Sequence, residues 1–156
     1  MKRYLIILIL ALIPVSLSAQ SPMNDFFEDH SGAQGYQTII YGKRMLDMMK
    51  DGASPDVKSL LNRISSIRII STKKPEDRIV GLSRKDVMDS MEYETISQIN
   101  ENGNRSEFYI SEEWVDNTGV SFVMIVSGPQ GSAVMEIIGD FDVKDISKLS
   151  VIGQKR

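Results

Sequence analysis

The segment Tyr93–Trp114 reads YETISQINENGNRSEFYISEEW, and its reading decides the architecture. The opening YETISQIN is rich in β-branched and aromatic residues, the composition of a strand. Asn102-Gly103 follows, and both residues tolerate the positive φ that a two-residue hairpin turn requires. RSEFYISEEW then alternates, with Phe108 and Ile110 on one side and Glu107 and Tyr109 on the other. Downstream, DNTG is a looser turn. VSFVMIVS is apolar at consecutive positions, as in a central strand covered on both faces. GPQG turns the chain again, and SAVMEIIG is the next strand. Four consecutive strands joined by turns make a β-meander.

Upstream of the meander the periodicity changes. Ser54 stands where a helix cap belongs, Pro55 suits the first helical position, and Asp56 complements the helix dipole. Val57, Leu60, Leu61 and Ile64 follow at the spacing of one buried helix face. SIRIIST comes next as a strand, with Ile67 and Ile69 on one face and Arg68 and Ile70 on the other. Tyr36–Tyr41 reads as another strand, Gly42 as a turn, and Lys43–Lys50 as a short helix with Met45, Leu46, Met48 and Met49 on its apolar side. Residues 74–92 read as helical from Pro75, with a break near Gly81 and a second start at Ser83, where Asp86 completes a capping-box pattern. Val87, Met88 and Met91 supply its apolar side. The expected fold is α+β: a mostly antiparallel sheet ending in a four-strand meander, helices packed on one face, and a short C-terminal helix.

The N-terminus is set apart from this domain. Met1-Lys2-Arg3 is positive, YLIILILALIPV is apolar, and Ser16–Ala19 ends on a small residue. That is the pattern of a cleaved secretory leader, too short for a comfortable span of ~20 residues. The expected organisation is a leader over 1–19, an arm or short helix over 20–35, a single α+β domain over 36–150, and a tail over 151–156. Within the arm, Met23, Phe26 and Phe27 would lie on one side of a helix, or would anchor a mobile segment.

Composition excludes several chemistries. The chain of 156 residues has no cysteine, so disulfides, thiolate metal sites, a cysteine nucleophile and a lipid-anchoring cysteine are all ruled out. Its formal charge is −3; without Lys2 and Arg3 it carries 16 basic against 21 acidic residues, or −5. A mildly acidic chain lacks the electrostatic footprint for nucleic acid and does not favour anionic lipid. The expectation is an exported protein, periplasmic or secreted, with no transmembrane span after cleavage and no lipid anchor.

Asp140, Asp142 and Asp145 are the densest carboxylate cluster, in IIGDFDVKDISKLS. Their spacing does not match a calcium loop, which needs alternating acceptors, a Gly and a distal Glu. The alternative is a joint: Gly139 ends the strand, Asp142 caps a helix, Asp145 favours its positive end, and Val143, Ile146 and Leu149 face inward. His30, the single histidine, lies in a polar Gly-flanked segment with Asp25 and Asp29 nearby and reads as a solvated surface residue. One histidine and no cysteine leave only carboxylates for a zinc site. No Gly-x-Ser-x-Gly elbow, phosphate loop or dinucleotide fingerprint is present. The helical methionines, Met45, Met48, Met49, Met88 and Met91, read as core rather than as an adaptable binding surface. Trp114 stands after an acidic run, at a loop that could anchor a partner. No catalytic, cofactor-binding or metal residue is assigned, and no cofactor is expected.

The segments SSIRIIST, YETISQINENGN, SFVMIVS and the closing GDFDVKDISKLS together resemble a family of small exported bacterial proteins, the domain-of-unknown-function family 4252. The resemblance runs from about Asp25 to Ser150, and its most specific element is Gly-Asp-x-Asp-x-x-Asp-Ile-Ser-Lys-Leu. The family brings no established activity or catalytic residues. It implies an envelope or secreted protein of a Gram-negative bacterium, and its association with envelope sigma-factor systems hints at signalling. Many members carry a lipoprotein cysteine; here Ala19-Gln20 stands in its place, which implies release rather than anchoring.

The functional expectation is an exported, non-catalytic α+β module that binds an unknown protein or envelope component. The alternatives are a hydrolase using a carboxylate pair, such as Glu112 or Glu113 with an Asp from the 140s, and a carrier of a small apolar ligand. An exposed apolar patch on an uncovered sheet face would predict a homodimer or another partner surface.

Overall fold

A computed structural model describes residues 21–75, 78–90, 92–111, 115, 118–142 and 144–145. In chain order the elements are α1 (Asn24–His30), β1 (Gln37–Gly42), α2 (Lys43–Met48), α3 (Pro55–Arg63), β2 (Ile64–Thr72), α4 (Arg78–Asp89), β3 (Tyr93–Glu101), β4 (Asn104–Ser111), β5 (Val120–Gly128) and β6 (Gly131–Gly139). The strands form one six-stranded sheet in the order β1-β2-β6-β5-β4-β3. Every pairing is antiparallel. The meander β3–β6 is present, and β5 lies inside the sheet, as the apolar run VSFVMIVS requires. The hairpin turn has Asn102 at φ 51° and Gly103 at φ 79°, the left-handed conformation that only such residues adopt cheaply.

Strand alternation divides the core into two layers. One face contributes Ile70, Tyr109, Val123, Ile125 and Val134, and it is covered by Met23, Phe26 and Phe27 from the α1 segment and by Ile79, Val80 and Val87 from α4. The other contributes Ile64, Phe122 and Ile137, and it is covered by Leu46 of α2, Leu60 and Leu61 of α3, and Phe141. The fold is thus α+β as expected, but the four helices among the described residues pack two on each face rather than all on one, because the inner strands carry apolar side chains on both sides. β5 is one such strand, apolar on both sides.

Four local expectations change. α4 runs unbroken through Gly81, and Ser83 does not start a helix: its hydroxyl is buried and donates to the Val80 carbonyl at 3.0 Å. Ser54 stands at the N-cap of α3 with Pro55 behind it, but its side chain makes no capping bond. The methionines of α2 are not core, for only Leu46 of that helix is buried while Met45, Met48 and Met49 are exposed. His30 is not a freely solvated residue of a loose arm. It closes α1, with Nδ1 2.8 Å from the Phe26 carbonyl and its ring stacked on Phe26.

Residues 1–20 and 146–156, with the expected leader and tail, lie outside the described residues, as do Met91, Glu112, Glu113, Trp114, Val143, Ile146 and Leu149. Among the described residues, no helix is long and apolar enough to cross a membrane.

Candidate functional site

The groups with the most perturbed surroundings are two carboxylates inside the α1/α4 layer. Glu136 on β6 is wholly buried, and Glu107 on β4 is 1% exposed. A charge so placed is retained only when it is paired and fully hydrogen-bonded. Both are.

Glu136 stands directly opposite Arg68 in the β2–β6 register. The guanidinium donates to Oε2 through Nε at 2.9 Å and through Nη2. Its Nη1 donates to Asn24 Oδ1 at 2.9 Å, and its Cζ lies over the Phe27 ring, 4.5 Å from the ring centre. Oε1 accepts from the Ser21 hydroxyl and, at 2.6 Å, from that of Ser121. Ser121 spends its only proton on Glu136, so the 2.8 Å contact with Tyr93 is a bond that the phenol donates. Burial and the neighbouring Glu136 charge raise the Tyr93 phenol well above its ordinary range.

Glu107 is held by a second set. Arg84 of α4 donates through Nε to Oε2 at 2.8 Å and to Oε1 at 3.1 Å, and again through Nη2. Arg105 and Tyr109, two residues to either side on the same strand face, donate to Oε1 at 2.8 and 3.1 Å. Burial alone would raise this carboxyl; the bonds from Arg84 and Arg105 outweigh it and hold the group below the ordinary value. Burial raises the Tyr109 phenol, and the Glu107 charge adds to the effect.

Every oxygen of the two carboxylates therefore already holds a donor, and Val123 and Ile125 of β5 stand between the two groups in the register. They are two separate clamps, not a facing acid–base pair across a cleft. Each ties a helix layer to the sheet: Arg68 and Ser21 tie the N-terminal segment, and Arg84 ties α4.

The Asp140–Asp145 joint is also engaged structurally. Asp142 Oδ1 accepts from the Lys144 and Asp145 amides at 2.7 and 3.3 Å, as a cap does. Asp145 accepts from Arg63 at 2.7 Å and from the Asp142 amide at 3.2 Å. The Asp140 amide donates to the Arg63 carbonyl at 2.8 Å. Among the described residues, no three His, Asp or Glu side chains gather as a metal site would need.

Open clefts lie along the turn end of the sheet. One of about 530 Å³ is bounded by Asn100, Asn102, Asn104, Arg105 and Pro129, and another of about 460 Å³ by Tyr36, Gln37, Lys73 and Lys74.

Compared with known families, residues 29–149 match one catalogued as a domain of unknown function, DUF4252. The chain belongs to this family. The matched span starts at the last turn of α1, so Ser21, Asn24 and Phe27, which hold Arg68 and Glu136, precede it. The DUF4252 match covers the whole sheet and carries no assigned activity. Neither a curated protein nor a solved structure matches the chain.

Neither buried carboxylate was singled out from sequence. A lone Glu in an alternating strand ordinarily reads as solvent-facing. One signal was there: Arg68 in SIRIIST and Glu136 in SAVMEIIG are single charges of opposite sign in otherwise apolar strands.

Proposed function

We propose that this DUF4252 protein is an exported, non-catalytic binding module of the bacterial cell envelope, and that its recognition surface is the β1–α2 side of the sheet. One observation carries the reading. Among the described residues, the large apolar side chains left exposed are Ile40 (60%), Met45 (46%), Met48 (66%), Met49 (45%) and Ile99 (49%), and four of them fall within residues 40–49. Leu46 fixes α2 to the sheet while its methionines point away from it. Exposed methionines are polarizable and adaptable, and exposed apolar side chains gathered around one open strand and the helix that follows it mark an interaction surface. Export rests on the positive, apolar and small-residue pattern of residues 1–19. Saturated carboxylates support the non-catalytic part, and no observation favours the hydrolase or the apolar-ligand carrier.

The test is capture from an envelope extract with the purified chain and with an I40T/M45S/M48S/M49S variant whose circular dichroism matches the parent. The expected result is a specific component held by the parent and lost with the variant. Identical capture by the two would sink the reading.

A further inference from the structure

We infer that the β1 edge is filled by β3 of a second copy of this chain, so that the molecules join head to tail into a continuous antiparallel sheet. This rests on the reading of the β1–α2 side as a binding surface, and it names the occupant.

β1 and β3 are the two outer strands. An outer strand presents a row of unpaired backbone donors and acceptors, and folds usually blunt it with charge, proline or a bulge. β1 has none of these: residues 37–42 read QTIIYG, and its register with β2 is unbroken. Ile40 is exposed on one side of this edge, and Met45, Met48 and Met49 follow just beyond its C-terminal end. β3 is blunted against its own kind. It carries Glu94 and Glu101 and has a register shift between Thr95 and Ser97. It also carries Ile99, so every large exposed apolar side chain described lies on or beside one of the two open edges.

Charge selects the pairing. The N-terminal end of β1 lies beside Lys73 and Lys74, which follow β2, and its C-terminal end runs into Lys43 and Arg44; all four are exposed. Lys43 is already turned onto the Leu61, Asn62 and Ile64 carbonyls, so among the described residues the cation offered at this end of the edge is Arg44. Glu92 immediately precedes β3, which carries Glu94 near its start and Glu101 at its end; all three are exposed. Two β1 edges paired antiparallel would set cations against cations, and two β3 edges would set carboxylates against carboxylates. The alternating strand directions make β3 antiparallel to β1 within the sheet. A second copy added alongside therefore brings Glu92 and Glu94 to Arg44, and Glu101 to Lys73 and Lys74. Such a contact is heterologous and does not close on itself, so it grows into chains or rings rather than stopping at a dimer.

The experiment is sedimentation velocity of the purified protein, leader removed, over a wide concentration range at low and high salt. The expected result is a weight-average mass that climbs past the dimer with concentration and falls as salt screens the end charges. Two variants that retain the parent's circular dichroism, E94K/E101K and R44E/K73E/K74E, should each assemble at concentrations about tenfold or more higher. Mixed in equal amounts they should assemble again, because each then offers the edge that the other lacks. A monomer at every concentration, a closed dimer, variants that assemble alone as well as the parent, or a mixture that stays dispersed would each overturn the inference. Monomers combined with variant-sensitive capture from envelope extract would leave the binding surface standing and remove only this occupant.

Discussion

At the residue scale, the Glu136–Arg68 pair is the feature most sensitive to change. Removing one partner leaves the other charged and buried, which typically costs 3–5 kcal/mol. Replacing both with apolar residues of similar volume removes the desolvation cost along with the attraction and is often near neutral. Glu136→Ala should therefore lower stability by about 3–5 kcal/mol in urea unfolding, and Arg68→Met with Glu136→Leu should recover most of it. A double variant as unstable as the single one would mean that the clamp itself, rather than the avoided bare charge, holds the layers together. Glu107 gives a pH prediction. Its native value is depressed, so its stabilisation is complete above the unfolded value of ~4.3 and is lost as pH falls through the native one. Asp86, raised by burial, acts in the opposite sense over the same range. The urea midpoint should fall from pH 5 toward pH 3, and Glu107→Gln should flatten that slope. The raised phenols of Tyr93 and Tyr109 act at the other end. Their stabilisation is complete below the unfolded value of ~10 and is lost as pH rises above it, so Tyr93→Phe should flatten the alkaline limb.

At the element scale, two glycines have opposite roles. Gly81 lies exposed inside α4 with nothing within 4 Å of where a Cβ would stand. Gly81→Ala should stabilise the protein by about 0.5–1 kcal/mol, because glycine loses more freedom on entering a helix. Gly119 is at φ +136°, and a Cβ there would overlap the backbone carbonyl of Gly139 at the end of β6. Gly119→Ala must move one of these backbones, and its urea midpoint should fall while that of Gly81→Ala rises. A shift of the same sign in both would contradict this assignment. Asp142→Ala, which removes the cap on the Lys144 and Asp145 amides, should cost about 0.5–2 kcal/mol. Features set by local chemistry were readable at this scale: the Asn102-Gly103 turn, the Asp142 cap and the period-2 strands all depend on neighbours a few residues away. The continuity of α4 through Gly81 was not, because helix cover by Ile79, Val80 and Val87 outweighs the weak propensity of one glycine. The exposure of the α2 methionines was not readable either, since helical spacing identifies an apolar side without saying what lies against it.

At the scale of the whole molecule, the meander was legible and the strand order was not, because β2 reaches β6 across the whole of α4 and strands β3, β4 and β5, and nothing local marks that partner. The division of the helices between two faces follows from that pairing. It also fixes the standing of the N-terminal segment, which the sequence left open between helix and mobile arm. Met23, Phe26 and Phe27 are 0–2% exposed, and Phe27 lies under the Arg68 guanidinium that neutralises Glu136. The segment is therefore part of the core, although the matched family span begins only at residue 29. Phe27→Ala would remove a fully buried ring, a change that costs about 3–5 kcal/mol in other cores, and would uncover one side of Arg68. Phe26 packs edge-on against Phe27 at 5.4 Å, so the two substitutions should not add independently. A domain stabilised by about 5–15 kcal/mol in total has little room for both losses. The double variant should show a broadened, low-temperature transition in circular dichroism, whereas Phe27→Ala alone should stay cooperative at reduced midpoint. If both variants unfold within 1 °C of the parent, about a quarter to a half of the shift expected for a single kcal/mol in a chain of this size, the segment is an appendage and the α1 layer is not part of the core.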